Sequence, residues 1–189
     1  MDNNSERRYS NHQVRAAKPA EGVQFAEIEG VAALVNTKTR IGVYDPYDEI
    51  ILPGAFDDCL KDDIRCLFNH GEDKILARSQ NGEGTLKVFI NPDGHLAYKY
   101  TTPNRSYALD IQDAIEKGDV NQSSFQFRIK EQSWVWGDKS KGEVDLRKIM
   151  KVEKLYDVSP VTFPAYPDTS VAKRSYEEAR QADRPDESY

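Results

Sequence analysis

Short runs of alternating apolar and polar residues recur through the middle of the chain, and each predicts a half-buried β-strand. The clearest is Ser124–Ile129, where Phe125, Phe127 and Ile129 point one way and Ser124, Gln126 and Arg128 the other. Residues 25–35 open with alternation, and Gly30 within them is read as a bend or bulge. Further strands are predicted at 49–52, 64–68, 75–78, 86–90, 95–100 and 133–136, with one or two more between 145 and 161. Asn81-Gly82, Asn91-Pro-Asp-Gly94 and the charged stretch 138–143 supply the turns. Helical spacing occurs twice. Phe56, Cys59 and Leu60 form one stripe after Pro53, and Tyr107, Ile111, Ala114 and Ile115 form another between Thr102-Pro103 and Gly118. Many short strands and few helices predict a mainly β, α+β fold in the form of a small closed β-barrel with helical inserts.

The ends differ from the middle. Residues 1–22 are polar without periodicity and read as a flexible arm; 23–168 carry the core-forming pattern, and 169–189 form a charged tail, flexible or helical, with Ser170 placed to cap it. A length of 189 residues fits one such domain. The formal charge of −6 argues against a general nucleic-acid binder, which needs clustered Lys and Arg. No apolar run reaches the roughly 20 residues that span a bilayer, and no hydrophobic stretch follows the first residues, so neither membrane insertion nor a secretory signal is expected. Two cysteines, Cys59 and Cys66, give no disulfide framework and suit a reducing compartment.

Ser124 is the residue around which chemistry can be built. Its apolar neighbours anchor the strand in a core, so a small hydroxyl is held rigidly on the opposite face, as a nucleophile requires. Ser123 shares the side of Phe125 and ranks second. Of three histidines, His12 falls in the arm, His95 follows a tight turn as a surface strand residue, and His70 ends an apolar run before Gly71, where an imidazole can serve as a general base. Asp157 is a single acid embedded in Leu155-Tyr-Asp-Val-Ser-Pro-Val161, and a buried carboxylate needs a partner. A histidine suits it, as would Arg147 or Lys148. The competing chemistry is zinc held by Cys59, Cys66, His70 and His95, but the long spacing between the cysteines does not match common zinc sites.

Four segments, Pro53-Gly-Ala-Phe56, Leu67-Phe-Asn-His-Gly71, Ser124-Phe-Gln-Phe127 and Asp157-Val-Ser-Pro-Val-Thr-Phe-Pro-Ala165, stand in the order seen in another group. As a set they resemble the tailed-phage prohead (capsid maturation) serine proteases of the HK97 type, across about residues 24–168. The resemblance implies a fold similar to herpesvirus assemblin protease, with Ser124 as nucleophile, His70 as base and Asp157 as third member. It implies no cofactor or metal. It implies phage scaffold and major capsid protein as substrates, together with self-cleavage, inside the assembling prohead in the host cytoplasm, and it raises self-association as a dimer or higher. Backbone N–H groups are expected to hold the oxyanion, helped by an arginine such as Arg147. The chain departs from the pattern twice: Gln126 stands where glycine is usual, and Asp157 where glutamate is.

Two other classes compete. One is a non-catalytic capsid-assembly or scaffolding module on the same barrel, which has no reason to keep a full Ser, His and acid set. The other is a generic β-barrel binding module, for which the pairs Trp134 and Trp136 and Tyr98 and Tyr100 would supply an aromatic face.

Overall fold

The computed structural model describes residues 5–10, 14–17, 21–22, 24–42, 46–163 and 170–182. Among the described residues, twelve strands and two α-helices follow in the order β1 (Glu6–Ser10), β2 (Arg15–Ala16), β3 (Glu27–Ala33), β4 (Thr39–Ile41), β5 (Tyr47–Ile51), β6 (Ile64–Phe68), β7 (Gly71–Gln80), β8 (Glu83–Gly84), β9 (Leu86–Ile90), β10 (Leu96–Thr101), α1 (Ser106–Glu116), β11 (Gln122–Val135), β12 (Leu146–Val161) and α2 (Ser170–Ala182). The fold is therefore mainly β with helical additions.

The strands form two sheets, not the closed barrel expected from their number and spacing. An 8-stranded sheet runs β1-β11-β12-β6-β7-β8, with β5 pairing β12 and β4 pairing β5; a 4-stranded sheet runs β2-β3-β10-β9. Among the described residues β1 and β8 lie at opposite ends of the long path and do not pair with each other, so the large sheet stays open. Its backbone is the long antiparallel pair β11 and β12; β11 is one continuous strand where the pattern had suggested two, and β12 is one where it had allowed one or two. Several register shifts along that pair let such long strands bend over the second sheet.

The core lies between the sheets. Phe125 and Phe127 of β11 face it with Phe56, Ile28 of β3, Leu96 and Tyr98 of β10, and Leu155 of β12. Gly30 is explained by close approach and not by a bend. It pairs with Tyr98 across β3 and β10, and a Cβ there would sit 2.5 Å from the Tyr98 ring. Residues 53–62 form consecutive turns with three-residue hydrogen bonds such as Cys59 N to Phe56 O, in place of the short helix that the stripe predicted. That still buries Phe56 and Cys59. Helix α1 starts at Ser106, later than Pro103 suggested, and ends before Gly118, whose φ of +82° completes the turn out of it.

The described segments 5–10 and 170–182 both join the sheets. Glu6–Ser10, read from sequence as part of an arm, is a strand pairing β11 in antiparallel register, with Tyr9 opposite Ser124. Its inward side chains are Glu6, Arg8 and Ser10, so apolar periodicity has nothing to detect. Helix α2 docks through Tyr176, which stacks on Tyr47 at 5.3 Å and donates to the Asp145 carboxylate at 2.7 Å. Trp134 and Trp136 pack into this second cluster, and Tyr98 and Tyr100 lie in the main core, so neither pair forms a free aromatic face.

Candidate active site

Three neighbouring strands of the large sheet carry the site. On β11, the buried faces of Phe125 and Phe127 fix the strand and turn Ser124 to the other side. Across the ladder, Ser124 pairs with Ser159 and Gln126 with Asp157 on β12. The register then shifts, leaving Tyr156 as an extra residue beside Asp157. Such a bulge re-aims the side chains next to it. On the far side of β12, Asp157 pairs in parallel with Arg65 of β6, and β6 leads into the tight turn that holds His70.

That turn is unusual. Asn69 and His70 both take left-handed backbone, with φ of +53° and +58°. Such conformations are rare outside glycine, although Asn and His adopt them more readily than most residues. The turn is tied back to β12: Asn69 N–H donates to Pro160 O at 3.1 Å, and Asn69 Oδ1 accepts from Thr162 N–H at 2.9 Å. These bonds settle where the imidazole points.

His70 Nδ1 lies 2.6 Å from Asp157 Oδ1, and His70 Nε2 lies 2.7 Å from Ser124 Oγ. With Nδ1–H donating to the carboxylate, Nε2 is left to accept the serine proton. Ser159 Oγ–H donates to the same Asp157 oxygen at 2.6 Å, holding the carboxylate in place. The aspartate therefore reaches the imidazole despite being one methylene shorter than the glutamate usual in the resemblance. The arrangement has the parts of an acyl-transfer site: a fixed hydroxyl, an imidazole beside it and an acid behind.

The family model for caudovirus prohead serine proteases matches residues 10–182 of 189. The chain belongs to this family. Neither a curated protein nor a solved structure matches it. Membership makes it a serine protease of phage head maturation by family, and it agrees with the resemblance carried by the four sequence segments. Among the described residues no helix is long and apolar enough to cross a membrane.

Ser124 is covered by β1. The Ser124 side chain is fully buried, and its Oγ donates to the backbone carbonyl of Arg8 at 2.8 Å. Below this contact lies a buried cluster of two arginines and two glutamates. Arg8 bonds Glu49 at 2.6 and 2.8 Å and Glu6 at 2.6 Å, while Arg147 bonds Glu6 twice at 2.8 Å and Glu49 at 3.1 Å. Burial pushes the Glu6 carboxyl up, but the charges and hydrogen bonds of Arg8 and Arg147 together outweigh it and hold the group down at about 2. Both guanidiniums are held well charged by these carboxylates despite burial, which alone would lower them. Arg147 is thus spent on this cluster, and the expectation that it helps hold an oxyanion is corrected: it is 0% exposed and its partners are Glu6, Glu49, Gln132 and Ser175.

The other candidates fall elsewhere. Ser123 points into the core, where its hydroxyl meets Tyr98 Oη at 3.0 Å. His95 is half-buried, and its Nδ1 accepts from Val35 N–H at 3.2 Å, which differs from a plain surface position. His12 lies outside the described residues. The four side chains of the zinc reading are engaged separately, with Cys59 and Cys66 in the core. Burial pushes the Cys59 thiol up to about 12 and Cys66 well above its ordinary value, which opposes the thiolate form a metal needs.

Sequence reasoning passed over Asn69, Ser159 and Arg8. Asn69 and Ser159 sat inside the quoted segments, and the tolerance of Asn for left-handed backbone was an available signal. Gln126 accepts from Arg7 Nε at 3.1 Å and donates to Ser5 Oγ at 2.8 Å, so the residue that replaces the usual glycine fastens β1.

Proposed function

We propose that the chain is a serine endopeptidase in which Ser124 is the nucleophile, His70 the general base and Asp157 the group that orients His70. The observation that carries this reading is the close line of polar atoms from Asp157 through His70 to Ser124, at 2.6 and 2.7 Å. His70 takes the Ser124 proton as Oγ attacks the scissile carbonyl carbon, then passes it to the leaving amine. Water repeats the sequence on the acyl-enzyme. Asp157, held by Ser159, stabilises the imidazolium between the two steps. Family membership supports capsid-associated substrates. We assign them as the phage scaffold, the scaffold-like part of the major capsid protein and the chain itself, cleaved within the assembling prohead in the host cytoplasm, with a self-associating enzyme.

The test is co-expression of wild type or Ser124→Ala with the major capsid protein of the same phage, read by intact mass. Cleavage by wild type alone supports the assignment, and the product masses give the bonds cut. Cleavage by both forms removes Ser124 as nucleophile. The full burial of Ser124 favours one rival, a non-catalytic assembly module on the same fold. Intact capsid protein with both forms, inside assembled proheads, would favour that rival.

A further inference from the structure

An extended peptide that reaches a nucleophile on a strand does so most simply by adding to the edge of that strand, where main-chain hydrogen bonds give affinity and side-chain sockets give selectivity. For Ser124 that edge belongs to β11, and β1 already occupies it. Tyr9 pairs with Ser124 and Arg8 with Phe125. The Arg8 carbonyl accepts from Ser124 Oγ at 2.8 Å, while His70 Nε2 stands 2.7 Å from the same oxygen. A serine has one hydroxyl hydrogen, so it serves Arg8 or His70 and not both. With Ser124 at 0% exposure, a carbonyl from another chain reaches it only after β1 leaves.

The side chain of Arg8 fills a socket that is built into the domain. Glu49 grips its guanidinium by both oxygens, and the Phe127 ring lies 5.8 Å from its centre. These residues belong to β5 and β11 and stay behind when β1 departs. A neutral side chain in that place would leave the buried Glu49 with Arg147 as its one guanidinium partner in the cluster, whereas a basic one restores the fork.

We propose that β1 is an internal occupant of the substrate-strand site, and that the strand replacing it carries a basic side chain, arginine foremost, in the place of Arg8. The inference rests on Ser124 being the nucleophile. In the register of β1, the residue whose carbonyl meets Ser124 Oγ is the one whose side chain enters the Glu49 socket. The basic residue therefore immediately precedes the scissile bond. Ser124 Oγ bonds its carbonyl carbon, the C–N bond breaks, and the serine proton passes through His70 to the amine. Water then releases the new carboxyl end and returns a proton to Ser124.

The test uses the full chain and two peptidyl diphenyl phosphonates, Glu-Arg-Arg and Glu-Arg-Ala, which label an active serine with loss of phenol. Residues 10 and 123 face each other across β1 and β11. Antiparallel partners lie about 4.5–5.5 Å apart, within disulfide range, so S10C/S123C tethers β1 reversibly. Arg8→Glu, which sets like charge against Glu49, releases it. The expected results are at least tenfold faster labelling by the arginine probe than by the alanine probe in the reduced tether variant, at least tenfold slower labelling once it is oxidised, and at least tenfold faster labelling in Arg8→Glu than in wild type. If S10C/S123C does not fold, Arg8→Glu carries the occupancy test alone. Labelling that Ser124→Ala abolishes but that ignores tether and release overturns the occupancy and leaves the peptidase reading intact. Equal rates for the two probes overturn the basic socket. Folded protein that no probe labels in any form overturns this inference and the peptidase reading together.

Discussion

Asp157→Asn isolates what the acid contributes, because it keeps the size of the side chain and removes its charge. The carboxylate oxygen stands 2.6 Å from His70 Nδ1, and Ser159 donates to that same oxygen at 2.6 Å. An asparagine can keep its oxygen toward Nδ1–H, but it then faces the developing imidazolium with no negative charge. Two unit charges about 4 Å apart at an effective dielectric constant near 20 interact by about 4 kcal/mol, which is roughly a thousandfold in rate. If the amide turns over instead, its NH2 drives the imidazole proton onto Nε2, which then offers Ser124 a donor where an acceptor is required. Ser159 does not prevent this, since a hydroxyl accepts as readily as it donates. Both routes act in the same direction, so the expected loss is about 10³- to 10⁴-fold. The assay is the second-order rate of fluorophosphonate labelling of Ser124 in the full chain, followed by intact mass, with melting curves confirming that both proteins are folded. A loss smaller than tenfold would refute the assignment of Asp157 as the group that orients His70.

Arg8→Ala leaves Glu6 and Glu49 facing Arg147 alone; it should cost about 3–5 kcal/mol and speed hydrogen exchange at residues 6–10 before the rest of the sheet, whereas uniform exchange would deny β1 its own clamp. Glu6 has its carboxyl lowered from 4.5 to about 2, so its contribution is present above about pH 4.5 and fades as pH falls toward 2. That shift is worth on the order of 3 kcal/mol, and the fall in melting midpoint below pH 4.5 should be shallower in Glu6→Gln. Gly30→Ala places a Cβ 2.5 Å from the Tyr98 ring and should destabilise by about 1–3 kcal/mol in thermal melts; an unchanged midpoint would mean that the ring has room to move. Asn69→Ala loses the Thr162 contact and puts alanine at a φ of +53°, so labelling of Ser124 should slow by about tenfold to a hundredfold with the fold retained, and a wild-type rate would remove Asn69 as a positioning residue.

The sequence was most legible where apolar periodicity governs. Phe125 and Phe127 announced β11 and, by exclusion, the face of Ser124. Tyr107, Ile111 and Ile115 announced α1, and its boundaries drifted by a few residues because Pro103 opens a turn before the helix and not the helix itself. The three residues gathered from separate segments lie within hydrogen-bond reach of one another, but alternation alone could not have joined them. His70 is brought to Asp157 by a parallel pairing of β6 with β12, a contact between residues far apart in sequence. Closure into a barrel was not legible either, since the same set of strand lengths suits one closed sheet or two open ones. Least legible was β1. Its inward positions are Glu6, Arg8 and Ser10, and a strand buried through ion pairs has the polar signature of a segment with no structure at all.

The site is consequently a product of register more than of loop design. Ser124 pairs with Ser159 and Gln126 with Asp157, so the acid stands one alternation along the ladder from the proposed nucleophile, and the extra residue Tyr156 sits directly beyond it. A slip of β12 by one residue against β11 would turn Asp157 toward the opposite face and separate it from His70, while also turning Leu155 and Val158 out of the core. The core side chains of β12 and the line from Asp157 through His70 to Ser124 are thus selected by the same alignment: the burial that makes the correct register favourable is also what brings the acid into place. The imidazole is the one member outside that alignment, which is why it depends on a strained turn and on Asn69 reaching back to Pro160 and Thr162 of the neighbouring chain segment. The same logic extends to β1. In register with β11 it covers Ser124, and the charges that hold it there are carried by Glu49 and Arg147, so the strand over Ser124 is held by a cluster buried on the other side of the sheet.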